Sequence, residues 1–355
     1  MSEATQQGDA AEAGAARARS WWVVAAQIGG FVASLAILAW CVWLVAGDQQ
    51  KMEQAQRLLK ATPGEIAVLL GLSMATIALS GLVFWAVGRP MKKVGAVESV
   101  AVNGVCTLLG YLPMKASLLF RVLYHRRAND MGWLTITAWL GAVAGIIVLS
   151  LAPGVVATIA FKDVNLAWVI VTLGGMAGVA VLLPSLAAVF AGEPGMARFL
   201  AMASWTRVGL VSRLVGSVFF GKLHSGLALL ADRRGVALAV VFRGMDMAAQ
   251  AARFYVVAGI IGVDVTIAQC VIAGAAYFFI QATSPAGVAG PREGGLIAIL
   301  GTGFAPVVVA VTAAEAAGNL ILGLLGAVWL RLDRVFLRGP ASPGAPASPR
   351  PDGNQ

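Results

Sequence analysis

Six predominantly apolar runs divide the chain: Trp21 to Ala46, Gly64 to Val87, Met131 to Ala152, Leu166 to Ala191, Val236 to Gly262 and Val307 to Leu330. Each has at least the ~20 residues that an α-helix needs to cross a ~30 Å hydrocarbon layer. A water-soluble fold has too little interior to hide so many such runs. The composition agrees, with 59% hydrophobic and 12% charged residues, against about 45–50% and ~25% in soluble domains. An all-α polytopic membrane protein is predicted, because a helix satisfies its own backbone in lipid. The first run exceeds the ~7–15 apolar residues of a signal peptide, so it is expected to span rather than be cleaved.

Two further apolar regions are broken, which makes eight apolar segments. Ala96 to Tyr124 is interrupted at Gly110-Tyr111-Leu112-Pro113-Met114-Lys115, with basic residues on both flanks. Val265 to Phe304 is interrupted from Thr283 to Gly295, with almost no charge outside the break. The first is expected to re-enter from the cytoplasmic side and the second from the outer side. Span, broken hairpin and span then occur in both halves with opposite orientation, an inverted repeat of the kind found in transporters. Pro113 marks the first hinge; Pro285, Gly287, Gly290 and Pro291 mark the second.

On this arrangement seventeen Lys and Arg flank one side and four, Lys51, Arg57, Lys60 and Lys162, the other. By the positive-inside rule the first side is cytoplasmic, and both termini lie there in a cell inner membrane. That bias accounts for the net charge of +9 without nucleic acid. Residues 1–20 and 339–355 are expected to be disordered, the latter because of its prolines, leaving a membrane domain over 21–338. Within it, 193–234 mixes Arg198, Arg207, Arg213 and Lys222 with apolar residues, which suits an interfacial cytoplasmic segment. Cys41, Cys106 and Cys270 lack any metal-binding spacing, and His125 and His224 lie far apart. No hydrolase, zinc or nucleotide motif occurs, so neither metal nor cofactor is expected.

Ionisable residues at membrane depth are costly, about 2.5–3.5 kcal/mol each on insertion scales, and therefore face a cavity or a partner. Arg292 and Glu293 follow a break and open an apolar helix, where free N–H groups favour an anion such as a lipid phosphate. The alternative is that Glu293 caps its own helix and the pair only holds the break together. Lys115 and Arg121 flank the first break, as phosphate partners or as side chains snorkelling to the interface. Arg243, Asp246, Gln250 and Arg253 recur at intervals of three, four and three, on one narrow face of the fifth span, as a substrate stripe or a packing network. Glu315 and Asn319, one turn apart on the last span, carry the same two readings.

Leu112-Pro113-Met114-Lys115-Ala116 followed by Arg121, and Pro285-Ala286-Gly287-Val288-Ala289-Gly290-Pro291-Arg292-Glu293, resemble the two best-marked regions of the lysylphosphatidylglycerol synthase transmembrane-region family, the flippase-like integral membrane proteins. Order and hydropathy match over roughly Trp21 to Leu330. The chain differs from that pattern at Ala286, at Pro291 and at Ala116-Ser117. The resemblance implies translocation of a lipid or lipid-linked intermediate, with membrane lipids or lipid-linked glycans as ligands. It does not imply synthesis, which in such bifunctional proteins belongs to a soluble domain, so no enzymatic activity is expected. Two other readings remain open: an accessory subunit that presents a lipid-linked precursor to a separate transferase, and an intramembrane transferase. With no ATP site in view, movement would draw on an ion or proton gradient or on the lipid's own gradient.

Overall fold

The computed structural model describes residue 25 and residues 28–112, 116–161, 163–205, 217, 220–221, 224, 226–283 and 290–336. The expectations for Pro113, Lys115, Pro285, Gly287, the two termini and much of 206–225 lie outside them. The described residues contain helices and no strand. The helices are α1 (Ile28–Ala46), α2 (Gln49–Arg57), α3 (Pro63–Gly88), α4 (Ala96–Leu109), α5 (Ala116–Ala128), α6 (Trp133–Phe161) and α7 (Leu166–Phe190). They continue with α8 (Gly192–Trp205), α9 (Gly226–Leu230), α10 (Arg233–Ile261), α11 (Ile267–Thr283), α12 (Pro291–Leu300), α13 (Ala305–Trp329) and α14 (Leu332–Phe336).

Among the described residues five helices, α1, α3, α6, α7 and α13, are long and apolar enough to cross a membrane. The sixth expected span, α10, has the length, 29 residues, but carries the polar stripe. The protein is an all-α polytopic membrane protein, as the apolar runs predict.

Two boundaries differ from the sequence reading. Helix α6 continues nine residues beyond Ala152, through Pro153. A proline in an apolar helix is tolerated when a neighbour covers the freed backbone, and α7 approaches closely here: a side chain on Gly175 would meet the Pro153 ring at 2.5 Å. The second break is shorter than expected, because Pro291 to Gly295 are helical. Proline fits the first helical position, and the Glu293 carboxylate accepts from the backbone N–H of Gly290 three residues earlier, capping α12 so that it starts early.

Direction follows from the close contacts. The carboxylate of Asp246 accepts from Ser80 at 3.0 Å, and Gly235 lies against the carbonyl of Ala86, so α10 runs antiparallel to α3. Asn103 on α4 donates to the carbonyl of Ile77 at 2.8 Å, while Gly104 and Gly326 touch backbone of Leu322 and Ala101. Helix α4 is thus antiparallel to both α3 and α13. These glycines form the small-residue seam that lets membrane helices approach.

The first hairpin enters and leaves at one end of the bundle: Asn129 donates to the Lys93 carbonyl at 2.9 Å and to Glu98 at 3.0 Å. Its turn reaches mid-bundle, where Asn319 donates to the Tyr111 hydroxyl at 2.9 Å. The second hairpin opens at the other end, between Gly262, the left-handed cap of α10, and the start of α13. Its tip returns to Glu315, one turn from Asn319. Exchanging α3, α4, α5 and α6 for α10, α11, α12 and α13 maps the packed pairs onto one another, so that α3 with α4 matches α10 with α11, and α4 with α13 matches α11 with α6.

Gly326→Val should therefore lower thermal stability in detergent by ~1–3 kcal/mol through overpacking, its Cβ falling 2.6 Å from the Ala101 carbonyl. Gly141→Val, with nothing within 4 Å, should be neutral. Cysteines at Lys92 and Arg331 should react from one face of the membrane, and cysteines at Gln49 and Asp264 from the other.

Candidate functional site: a buried ion network where the two hairpins meet

Helix α10 is the axis of the site. Its stripe turns inward: Arg243, Asp246, Gln250 and Arg253 are all buried among α3, α11 and α13 although the helix is otherwise apolar. Two serines of α3, seven residues apart, meet two stripe residues spaced the same way: Ser80 bonds Asp246 and Ser73 receives Arg253 at 3.5 Å. An antiparallel pair keeps this register because seven residues complete two turns.

Arg253 donates to Gln250 and, at 3.1 Å, to Glu315 on α13. The other oxygen of Glu315 accepts from Arg292 on α12, also at 3.1 Å. Arg292 closes the chain on its neighbour, with Nε at 3.0 Å and Nη2 at 2.6 Å from one oxygen of Glu293, and lies 4.0 Å above the Tyr277 ring. Glu293 accepts from Thr312 at 3.0 Å and from the backbone N–H of Gly290 at 2.6 Å. Gly290 has φ +99 and its missing side chain would overlap the Ser34 carbonyl of α1, so only glycine fits at this tip.

Three guanidinium and three carboxylate groups cancel in the stripe and the second tip, and five of the six are completely or almost completely shielded; Glu315 is 7% exposed. Such neutrality is what a low-dielectric interior demands of paired charges. Five of the sequence candidates, Arg243, Asp246, Arg253, Arg292 and Glu293, come together here, and Gly290 and Pro291 shape the tip. Arg121 stands apart: it donates to Asn103 at 2.6 Å and stacks on Phe84 at 3.7 Å, buried rather than snorkelling.

Glu315 was readable as a lone acid in an apolar span, but its role as bridge between Arg253 and Arg292 was not, because that depends on where α12 returns. Asn319, one turn on, serves the first hairpin through Tyr111. Ser73 and Ser80 gave no signal in sequence, small hydroxyls being common in apolar helices.

The donors are unevenly used. Every nitrogen of Arg292 has a carboxylate partner. Arg243 bonds Asp246 through Nη1 alone, stacks 3.4 Å above Phe278, and keeps Nε and Nη2 without a partner among the described residues. On the other side of α10, helices α7 and α11 complete an apolar groove of about 990 Å³, walled by Trp168, Thr172, Met176, Gly244, Met247 and Val271. Trp168, Met247 and Val271 also pack in one cluster with Phe278, the ring beneath Arg243. Among the described residues no group of side chains has a metal-ligand arrangement.

Comparison with known proteins finds no matching family, curated protein or solved structure.

Glu315→Gln leaves Arg253 and Arg292 without their shared carboxylate and should cost ~3–5 kcal/mol, the range for breaking a buried pair. Lys51→Ala, which removes an exposed pair with Asp48, should cost under ~1 kcal/mol. Thermal unfolding in detergent compares the two.

Proposed function

We propose that this protein moves a lipid or lipid-linked intermediate between the leaflets of the inner membrane, as a flippase-like protein. The observation that carries this reading is the neutral ion network at the mid-bundle junction of two oppositely oriented broken hairpins. A merely structural bundle gains little from six charged groups in its centre, since apolar replacements of a buried ion pair are often as stable. Discontinuous helices meeting at mid-depth are how secondary transporters build a substrate site. The resemblance of both breaks to the lysylphosphatidylglycerol synthase transmembrane-region family supports the lipid as cargo.

The ligand chemistry follows from the spare donors. A phosphate-bearing headgroup would meet Arg243, whose guanidinium offers two free nitrogens in the flat geometry that oxyanions match. Its tails would stay in the surrounding lipid. Arg292, Glu293 and Glu315 hold the second tip in place, and Arg292 joins the site only when that tip moves. The termini face the cytoplasm on this reading, because the Lys and Arg excess lies at the Arg89 to Lys93 end.

In proteoliposomes carrying a fluorescent phospholipid, externally quenchable label should rise faster with the protein than without it. Arg243→Gln should abolish the increase and Arg292→Lys should retain part of it, since one ammonium cannot bond Glu293 and Glu315 as the fork does. Vesicles with folded wild-type protein that move lipid no faster than protein-free vesicles would remove the reading.

A further inference from the structure

Three carboxylates occupy the buried network, and their oxygens are not equivalent. Both oxygens of Glu293 accept hydrogen bonds, from Arg292, Thr312 and Gly290, and both oxygens of Glu315 accept, one from each arginine. Asp246 receives Arg243 and Ser80 on Oδ2 and has no donor on Oδ1 among the described residues, although the residue is completely buried. A bare carboxylate oxygen in a low-dielectric interior is the place where a proton gains most.

We propose that Asp246 is a proton-binding site, and that its protonation frees Arg243 to take an anionic phosphate group. The step balances simply. A proton from the aqueous phase forms an O–H bond at Oδ1, the carboxylate becomes a neutral acid, and no other covalent bond changes. The network then carries one excess positive charge, seated on Arg243, whose Nε and Nη2 already lack acceptors among the described residues. An anion arriving there restores neutrality, so proton and anion bind together and each promotes the other. Phosphate and proton would cross the core as a pair that adds no net charge to it.

The surroundings select Asp246. On its own helix it faces Arg243 one turn before and Arg253 two turns after; Glu315 on α13 acts on it at longer range. Helix α3 contributes only the Ser80 hydroxyl, and the one acid of that helix, Glu65, is exposed at its far end. Helix α11 contributes the Phe278 ring beneath Arg243, with Tyr277 as its one nearby phenol. Helices α6 and α7 contain no titratable residue. Arg292 and Glu293 reach Asp246 only through Glu315.

The proton site stands on the geometry alone; its use in transport rests on the translocation reading above, and the test separates them. Infrared difference spectra of the protein in vesicles of a galactosyl diacylglycerol, a lipid without phosphate, recorded against pH, should show a carbonyl band of a protonated carboxyl. The band should shift when aspartate is labelled with ¹³C, a measurement that needs no variant, and should vanish in Asp246→Asn. Replacing the galactolipid by phosphatidylcholine, equally uncharged overall but carrying a phosphate, should move the titration to higher pH if a lipid phosphate is the anion. Inorganic phosphate added to the galactolipid vesicles should do so if a free anion is. Absence of the band, or its persistence in folded Asp246→Asn, overturns the site, and a titration indifferent to both anions overturns the coupling to Arg243. Fluorescent lipid movement in the same vesicles is scored independently: a titrating band without movement retires the lipid reading and leaves the proton site. Where movement occurs, an imposed pH gradient should accelerate it in the wild type, and Asp246→Asn should lose that acceleration.

Discussion

Glu315 is the group on which the arrangement turns. It is a single carboxylate in the middle of an apolar helix, and each of its oxygens holds one arginine: Arg253 from the long helix α10 and Arg292 from the tip of the second hairpin. Without it, two guanidinium groups would face each other in a medium that barely screens them. With it, the hairpin tip is tied to the core by charge, in a region where apolar contact distinguishes little between protein and lipid. The first hairpin is tied one turn away by a weaker link, the neutral hydrogen bond from Asn319 to Tyr111. The two tips therefore share one helix, and a shift of α13 reaches both.

The symmetric pairing of helices is not matched by equally tight packing. Where α4 meets α13, Gly104, Gly323 and Gly326 bring backbones within reach of each other's side-chain positions. The counterpart contact, α6 with α11, is slight. The apolar groove opens beside it, against α7 and α10. Three glycines line the closed seam, and no such row of glycine-to-backbone contacts joins α6 to α11 among the described residues.

Much of this architecture was written in the spacing of the apolar residues. Length separated spanning helices from broken ones, and Gly110 to Lys115 marked the gap between α4 and α5. The intervals of the stripe from Arg243 to Arg253 placed four polar groups on one face, and they do point inward together. Other features needed the third dimension. The third apolar run is bounded at Ala152, yet the helix passes on through Pro153, where Gly175 makes room. Arg292 and Glu293 read either as a tip open to an anion or as a pair in which the acid caps its helix; the acid does cap its helix, and the arginine also reaches a partner twenty-three residues away. Arg121 reads as a phosphate partner or a side chain snorkelling to the interface, and α5 turns it toward Phe84 and Asn103. In each case a long-range contact chose between two local options that the sequence had left equal.

A buried network of equal and opposite charges is rigid so long as every bond is kept, and its free energy rises steeply if one partner leaves alone. Motion of the second hairpin must therefore carry Arg292 and Glu293 together, as a pair that is already neutral through its own two bonds. What the departing pair leaves behind is also neutral, because Glu315 keeps Arg253 and Asp246 keeps Arg243. The six charges thus divide into three pairs, one on the hairpin tip and two on the bundle. Each pair is neutral in itself. That division is a property of the order in which the side chains are bonded, and it lets a heavily charged centre be buried without an unpaired ion.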